Sequence, residues 1–128
     1  MKKIIHTPQA PAPIGPYSQA VQIGNMLYVS GQIAIDPSSG DMITHEIRQE
    51  THQVMKNIGN ILQAAGFTYG HIVKTSIFLK TMDDFAAVNA VYGEYFSADF
   101  PARETVAVAG LPKNVNVEIS VIAVSGTA

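Results

Sequence analysis

The sequence contains no cysteine and no tryptophan among its 128 residues. A chain without cysteine has no disulfide framework, no thiolate nucleophile and no thiolate metal ligand. Disulfide-rich secreted scaffolds and cysteine-dependent enzymes are therefore excluded. The composition is compatible with a reducing compartment, and we expect the protein to be cytoplasmic.

Charged residues are scarce. They make up 14% of the chain, whereas an ordinary soluble domain contains about 25%. The formal net charge is −2 and the basic residues form no long run, so the positive surface that tracks nucleic-acid phosphates is missing and we expect no nucleic-acid partner. The low charge favours burial of part of the surface against another chain, although composition does not distinguish a dimer from a trimer.

Long apolar segments are missing as well. No apolar run approaches the roughly 20 residues that cross a bilayer. The N-terminus begins with a positive charge, but Pro8 arrives before the apolar stretch of about 7–15 residues that a signal peptide needs. We therefore expect no membrane partner and no targeting segment.

The residues that are present predict one α+β domain over residues 1–128, because a chain of this length forms a single core. Gly24 and Asn25 are typical of a tight hairpin turn, and alternating or β-branched residues indicate strands around and after it. The predicted strands are residues 20–23, 26–30, 72–79, 105–108 and 115–121. Residues 7–16 contain four prolines and are predicted to be an extended loop.

Two segments have the periodicity of amphipathic helices. Apolar residues recur at three- and four-residue steps between residues 46 and 65, and Gly66 follows as a C-terminal cap. A second repeat begins after Asp84 and runs through Phe85 to Tyr95. The order of the elements predicts a mixed sheet that is covered on one face by two helices.

Arg103 is the more informative of the two arginines, since Arg48 lies among polar residues of the first predicted helix. A guanidinium group is always charged and its planar fork of donors matches a carboxylate, which makes Arg103 a candidate for holding a small anionic substrate. The alternative is a structural ion pair with Glu104 or Glu118.

Glu118 stands in an otherwise almost apolar strand, on the face opposite Val117 and Ile119 and together with Asn116 and Ser120. In a partly dry cleft its pKa would rise toward neutrality, and the carboxylate could act as a general base on water. The alternative is a solvated edge residue.

Other candidate groups are less specific. The four histidines form no closely spaced cluster of the kind that binds zinc, so no metal site is predicted. The serines lack the elbow motif of a serine nucleophile, and the glycines form no phosphate-binding loop. Tyr17 is interpreted either as a packed aromatic residue or as a binding-site lid with a polar tip.

Several short segments, taken together in their order and spacing, resemble the RidA/YjgF family of 2-iminobutanoate/2-iminopropanoate deaminases. These segments are residues 12–20, Gly24-Asn25, Ser30-Gly31-Gln32, Val73-Lys74-Thr75, Phe100-Pro101-Ala102-Arg103 and Val117-Glu118-Ile119. The resemblance covers nearly the whole chain. It implies a fold similar to chorismate mutase and a homotrimer in which the sheets form a central barrel, with clefts between subunits.

The resemblance also implies roles for individual residues. Arg103 is similar to the carboxylate-binding arginine, Glu118 to the acid that orients water, and Tyr17 to the aromatic wall, while Ser30 and Gly31 match the segment that lines the same cleft. Glu104 and Thr105 complete the predicted substrate-binding set. Thr105 replaces a cysteine that many bacterial members have, so a thiol is not essential here, and the side chain of Glu104 is expected to point away from that of Arg103.

The implied reaction is the hydrolysis of a 2-imino or enamine acid to a 2-keto acid and ammonia, with no cofactor and no metal. Arg103 would hold the substrate carboxylate and Glu118 would hold the attacking water. Three alternatives remain: a non-catalytic regulator that binds small carboxylates, a chaperone-like protein, and an endoribonuclease.

Overall fold

The hairpin predicted around Gly24 and Asn25 is present in the computed structural model, which describes residues 1–126. Strand β2 (Ala20–Ile23) pairs antiparallel with β3 (Met26–Gln32), and Gly24 adopts a left-handed φ of 57° in the turn. A strand that was not predicted, β1 (Lys3–Ile5), pairs antiparallel with β2. Three residues are too few to show a recognisable alternation.

The two predicted helices are confirmed, with one shorter than expected. Helix α1 (Ile47–Ala64) begins where the Glu46 carboxylate accepts hydrogen bonds from two backbone N–H groups, and Gly66 follows its end with a φ of 80°. Helix α2 (Phe85–Gly93) follows a turn of 3-10 helix and ends before Tyr95, which the periodicity had included. No helix among residues 1–126 is long and apolar enough to cross a membrane.

Six strands form one mixed sheet within residues 1–126. Strand β4 (Ile72–Leu79) has the predicted bounds, β5 (Ala102–Ala107) begins three residues earlier than predicted, and β6 (Val117–Val124) is displaced toward the C-terminus. The strand order is β1-β2-β3-β6-β4-β5, in which β4 and β5 are parallel and the other described neighbours are antiparallel. The connection between these two strands contains α2, as parallel neighbours require.

Burial alternates along β6 and separates the two faces of the sheet. Val117, Ile119, Val121 and Ala123 are buried in the core with the apolar face of α1. Each of the valine and isoleucine side chains contributes about 1.5–3 kcal/mol when it is fully buried. The helices therefore cover this face, as predicted. The opposite face, here called the open face, carries partly exposed side chains, among them Tyr28, Phe78, Val106 and Ile122.

Candidate functional site

Arg103 lies on β5 and its side chain points toward α2. It is paired with the buried Thr75 of β4 and therefore lies on the helix-covered side of the sheet. Its Nη1 donates a hydrogen bond of 2.8 Å to Oδ1 of Asn89, and its guanidinium carbon lies 5.2 Å from the ring centre of Tyr92 and 5.9 Å from that of Phe85. These contacts hold the guanidinium in one orientation.

A cavity of about 460 Å³ opens beside this guanidinium, lined by Asn89, Tyr92, Gly93, Phe100, Pro101 and Arg103. Within residues 1–126, the bond to Asn89 is the one hydrogen bond of the guanidinium, and Arg103 forms no ion pair with Glu104 or Glu118. The structural ion pair considered as an alternative is therefore wrong for the described chain. Donors remain to hold a carboxylate.

Glu118 lies on β6, which is flanked by β3 and β4, so its interpretation as a residue of an edge strand is wrong. Val117 and Ile119 on either side of it are buried in the core, and Glu118 therefore points to the open face. The register between β3 and β6 shifts between Val29 and Gln32, and this irregularity places Ser30 and Gly31 beside the carboxylate.

Gly31 allows the carboxylate to approach β3 closely. A Cβ atom at position 31 would lie 2.8 Å from Cδ and 3.0 Å from Oε2 of Glu118. The absence of a side chain at this position is therefore required for the observed position of Glu118.

The Glu118 carboxylate is half-buried and has no polar partner among the described residues. Among residues 1–126 no hydrogen bond or ion pair to it is formed, and burial raises its pKa above the ordinary value of 4.5. A carboxylate that is dehydrated and has no cation beside it binds a proton more readily. This is the environment expected for a general base.

Tyr17 and Glu118 line a second cavity. The cavity has a volume of about 350 Å³ and is lined by Ile14, Tyr17, Ser30, Gly31, Ile33, Pro112 and Glu118. The side chain of Tyr17 is 48% exposed and its hydroxyl accepts a hydrogen bond from the backbone N–H of Ile14. Tyr17 is therefore half-exposed rather than a fully packed aromatic residue, and its ring forms part of the cavity wall.

The loop that carries Tyr17 is held by side chains rather than by a sheet. The buried amide of Gln19 accepts a hydrogen bond from the backbone N–H of Thr7 and donates to the backbone carbonyls of Thr7, Ala10 and Pro11. The Ser30 hydroxyl donates to the carbonyl of Ser18 at 2.6 Å. Ser30 therefore connects the proline-rich loop to β3.

Glu104 and Thr105 occupy different environments. The Glu104 side chain lies away from Arg103, as expected, and forms an ion pair of 2.8 Å with Lys74 and accepts a hydrogen bond from the Ser76 hydroxyl. These hydrogen bonds from Lys74 and Ser76 lower the pKa of Glu104. The Thr105 hydroxyl is buried and has no hydrogen-bond partner among the described residues.

The predicted site residues therefore fall into two groups within one chain. Tyr17, Ser30, Gly31 and Glu118 line one cavity, whereas Arg103 lines another that shares no residue with it. The two cavities also lie on opposite faces of the sheet. A single site that contains both Arg103 and Glu118 requires residues from two copies of the chain.

Two polar residues that contact Arg103 or the start of β6 were not predicted. Asn89 follows Phe85 by four residues and precedes Tyr92 by three, so all three share one face of α2, and this spacing is a signal that could have identified it. Glu50 is buried on α1 and bonds to the Asn116 side chain, which had been placed on the face of Glu118. Because Asn116 precedes β6, strand alternation does not apply to it.

His45 and His52 contact polar side chains of this chain. His45 lies before α1, and its Nε2 lies 2.8 Å from Oε1 of Gln49. His52 Nδ1 lies 2.7 Å from the hydroxyl of Tyr95. No group of three or more His, Asp or Glu side chains within residues 1–126 has an arrangement that could hold a metal ion.

The sequence matches known proteins along nearly its whole length. Residues 7–125 match the family model described as Endoribonuclease L-PSP. A protein of Mus musculus named 2-iminobutanoate/2-iminopropanoate deaminase is 48% identical over 126 residues, which are 98% of this chain and 93% of the mouse protein. A RutC family protein of Pyrococcus horikoshii is 50% identical over 123 residues, 96% of this chain and 98% of that protein.

The fold is also shared with solved structures. The crystal structure of E. coli TdcF with bound serine has a TM-score of 0.93 and 40% sequence identity to this chain. The match covers 97% of this chain and 99% of TdcF.

Proposed function

Because the chain belongs to the RidA/YjgF family, to which its match over residues 7–125 assigns it, we propose that it hydrolyses 2-iminopropanoate and 2-iminobutanoate to the corresponding 2-keto acids and ammonia. The observation that carries this proposal is the half-buried Glu118 carboxylate, which has a raised pKa and no polar partner on the described chain. Such a group is suited to remove a proton from water.

Arg103 supplies the second part of the proposed site. A 2-imino acid has one carboxylate next to the reacting carbon, and the guanidinium has free donors on a rigidly held plane. Serine, which is bound in the E. coli TdcF structure, carries a carboxylate and a nitrogen in the same relative positions. Holding the carboxylate fixes the imine carbon in position for attack.

The reaction then proceeds in two steps. Glu118 takes a proton from water as the water oxygen bonds to the imine carbon, and it passes this proton to the imine nitrogen, which gives a carbinolamine and restores the carboxylate. Glu118 next accepts the carbinolamine hydroxyl proton and delivers it to the amine nitrogen as the carbon–nitrogen bond breaks. The products are the 2-keto acid and ammonia, and the carboxylate is regenerated.

We propose that the active protein is a homotrimer with its sites between subunits. Arg103 and Glu118 lie on opposite faces of one chain, so one subunit would supply the anchor and its neighbour the base. The open face carries Tyr28 and Val106, which are 43% and 42% exposed, and exposed apolar surface of this kind favours burial against another copy. The assembly would follow the chorismate-mutase-like plan, with the sheets around a central barrel.

A coupled assay tests the proposed activity. A serine/threonine dehydratase generates the imine, and keto-acid release is followed with and without the protein. We expect the parent protein to accelerate keto-acid release. Glu94→Gln, which changes an exposed glutamate at the C-terminal side of α2, is the control and should accelerate release as the parent does. With Glu118→Gln we expect the acceleration to be about a hundredfold or more smaller.

Three results would contradict the proposal. If the parent protein binds 2-oxobutanoate but does not accelerate keto-acid release, a non-catalytic carboxylate-binding regulator would be favoured. Cleavage of single-stranded RNA by the same preparation, with no imine hydrolysis, would favour an endoribonuclease. A stable monomer in light scattering at micromolar concentration would rule out the shared site.

A further inference from the structure

Glu50 is the only charged side chain that is buried within residues 1–126, and its exposed fraction is 0%. It lies in the first turn of α1 and forms no ion pair with a described residue. Burial of an ionised carboxylate without a partner is costly, so such a group is retained only where hydrogen bonds replace its hydration. Neither the proposed anchoring nor the proposed proton transfer uses this residue.

Three N–H groups surround the Glu50 carboxylate. Oε2 accepts hydrogen bonds from the backbone N–H of Asn116 at 2.8 Å and of Val117 at 3.3 Å, and Oε1 accepts one from Nδ2 of Asn116 at 2.7 Å. The two carboxylate oxygens therefore accept hydrogen bonds from two consecutive residues, Asn116 and Val117. An apolar side chain at position 50 would leave all three donors without this acceptor.

These contacts fall immediately before Glu118. The carbonyl of Asn116 accepts a hydrogen bond of 3.0 Å from the backbone N–H of Lys80, at the end of β4. The entry to β6 is thus held by α1 through Glu50 on one side and by the β4 terminus on the other. Gly31 of β3 then sets how closely the Glu118 carboxylate can approach β3.

We propose that Glu50 is a positioning residue that holds the start of β6 so that the Glu118 carboxylate stays half-buried beside Gly31. This inference rests on the proposed function only for its kinetic consequence. The placement of Glu118 is a separate property that can be measured without any substrate.

Three variants at the contact and one control test this role. Glu50→Leu removes both acceptor oxygens. Glu50→Gln keeps one, and its amide can donate to Oδ1 of Asn116 once the Asn116 amide turns over. Asn116→Ala removes one bond and leaves the two backbone bonds in place, so it reports on the contact if Glu50→Leu does not fold. Thr51→Val is the control, because the buried Thr51 hydroxyl bonds only within α1, to the carbonyl of Ile47.

The kinetic measurement separates positioning from general structural damage. In folded Glu50→Leu we expect kcat for imine hydrolysis to fall about tenfold or more while KM stays within about twofold, because a small displacement of a reacting group costs rate rather than carboxylate binding. Glu50→Gln should recover most of kcat, Asn116→Ala should lose a few-fold, and Thr51→Val should match the parent. Parental kcat in folded Glu50→Leu, or a loss that only follows the folded fraction, would overturn the inference.

A carbon-13 NMR titration of the Glu118 carboxyl, assigned from the signal lost in Glu118→Gln, gives the readout that needs no substrate. We expect the Glu118 pKa to move toward its ordinary value in Glu50→Leu and in Asn116→Ala, and to stay at the parental value in Thr51→Val. An unchanged titration in both Glu50→Leu and Asn116→Ala would overturn the inference. If the parent shows no imine hydrolysis but the titration moves as expected, the proposed function fails and the positioning role stands.

Discussion

The two cavities contain opposite charges, and the charged groups differ in how firmly their surroundings hold them. The Arg103 guanidinium is fixed by a hydrogen bond from Nη1 to Asn89 and by the rings of Tyr92 and Phe85. The Glu118 carboxylate has no polar partner among residues 1–126 and is limited only by burial and by the close approach of Gly31.

This difference distinguishes an anchor from a reacting group. A cation that must hold a carboxylate in one orientation gains from rigid support, because less freedom is lost when the substrate binds. A base must instead remain free to gain and lose a proton, and a strong hydrogen bond to its ionised form would lower its pKa. The contacts of Arg103 and Glu118 match these two requirements.

The largest effect on turnover is expected when a side chain is added at Gly31, beside the Glu118 carboxylate. Gly31→Ala places a methyl group against Glu118 and displaces the carboxylate, and a displacement of about 1 Å can reduce turnover about a hundredfold. Gly31 does not adopt a left-handed φ, so the backbone tolerates alanine.

The matched control for this substitution is Gly110→Ala, since a Cβ atom at position 110 meets no atom within 4 Å. Steady-state kinetics of imine hydrolysis and a thermal melt of both variants check the prediction. Normal turnover in Gly31→Ala would show that the position of Glu118 is unimportant.

The next effect concerns the rigid anchor. Arg103→Lys keeps the charge but loses the planar fork, so the two parallel hydrogen bonds to a carboxylate can no longer form. We expect the affinity for 2-oxobutanoate to fall about tenfold or more, together with turnover. Titration calorimetry measures the affinity, and Arg48→Lys on the exposed side of α1 should bind as the parent does. Parental affinity in Arg103→Lys would remove Arg103 from the anchoring role.

A smaller effect is expected beside Arg103. Thr105→Cys should leave imine hydrolysis within a few-fold of the parent, because the Thr105 hydroxyl has no partner on the described chain and no chemical role is assigned to it. A loss beyond about a hundredfold in a folded variant, roughly 2.7 kcal/mol of barrier, would show that the side chain at position 105 takes part in the reaction.

The smallest effect concerns stability rather than rate. Burial raises the pKa of Glu118 in the folded protein above that in the unfolded chain, so its contribution to stability is greatest below the ordinary pKa and is lost as the pH rises through the raised one. Glu118→Gln removes this dependence. The difference in Tm, variant minus parent, should therefore be larger at neutral pH than in acid. Differential scanning calorimetry measures this difference. An equal difference at both pH values would indicate that Glu118 is well solvated.

Most of the fold could be predicted because its signals are local. The hairpin turn at Gly24, the apolar face of α1 and the β-branched run of β4 each depend on neighbours in the sequence. The strand β1 was missed because it becomes a strand only by pairing with β2. Tyr95 follows the helical spacing of α2, yet the helix has ended at Gly93, which shows that periodicity alone does not mark a helix end.

The site was predictable by residue type but not by arrangement. Arg103 and Glu118 stood out because each is a charge in an apolar setting. Their separation onto opposite faces depends on the registers of β5 and β6 against β4, which no local pattern indicates. Glu50 was missed because its partners, Asn116 and Val117, are more than sixty residues away in the chain.

The position of β6 in the sheet has a consequence for biosynthesis. It is the last described strand to leave the ribosome, yet it joins the β1-β2-β3 meander to the β4-β5 pair. Until residues 117–124 emerge, the nascent chain has two partial sheets with unpaired edges at β3 and β4, and these edges can pair with other chains. A ribosome that stalls before residue 117 would therefore release a chain prone to aggregation rather than a partly active protein.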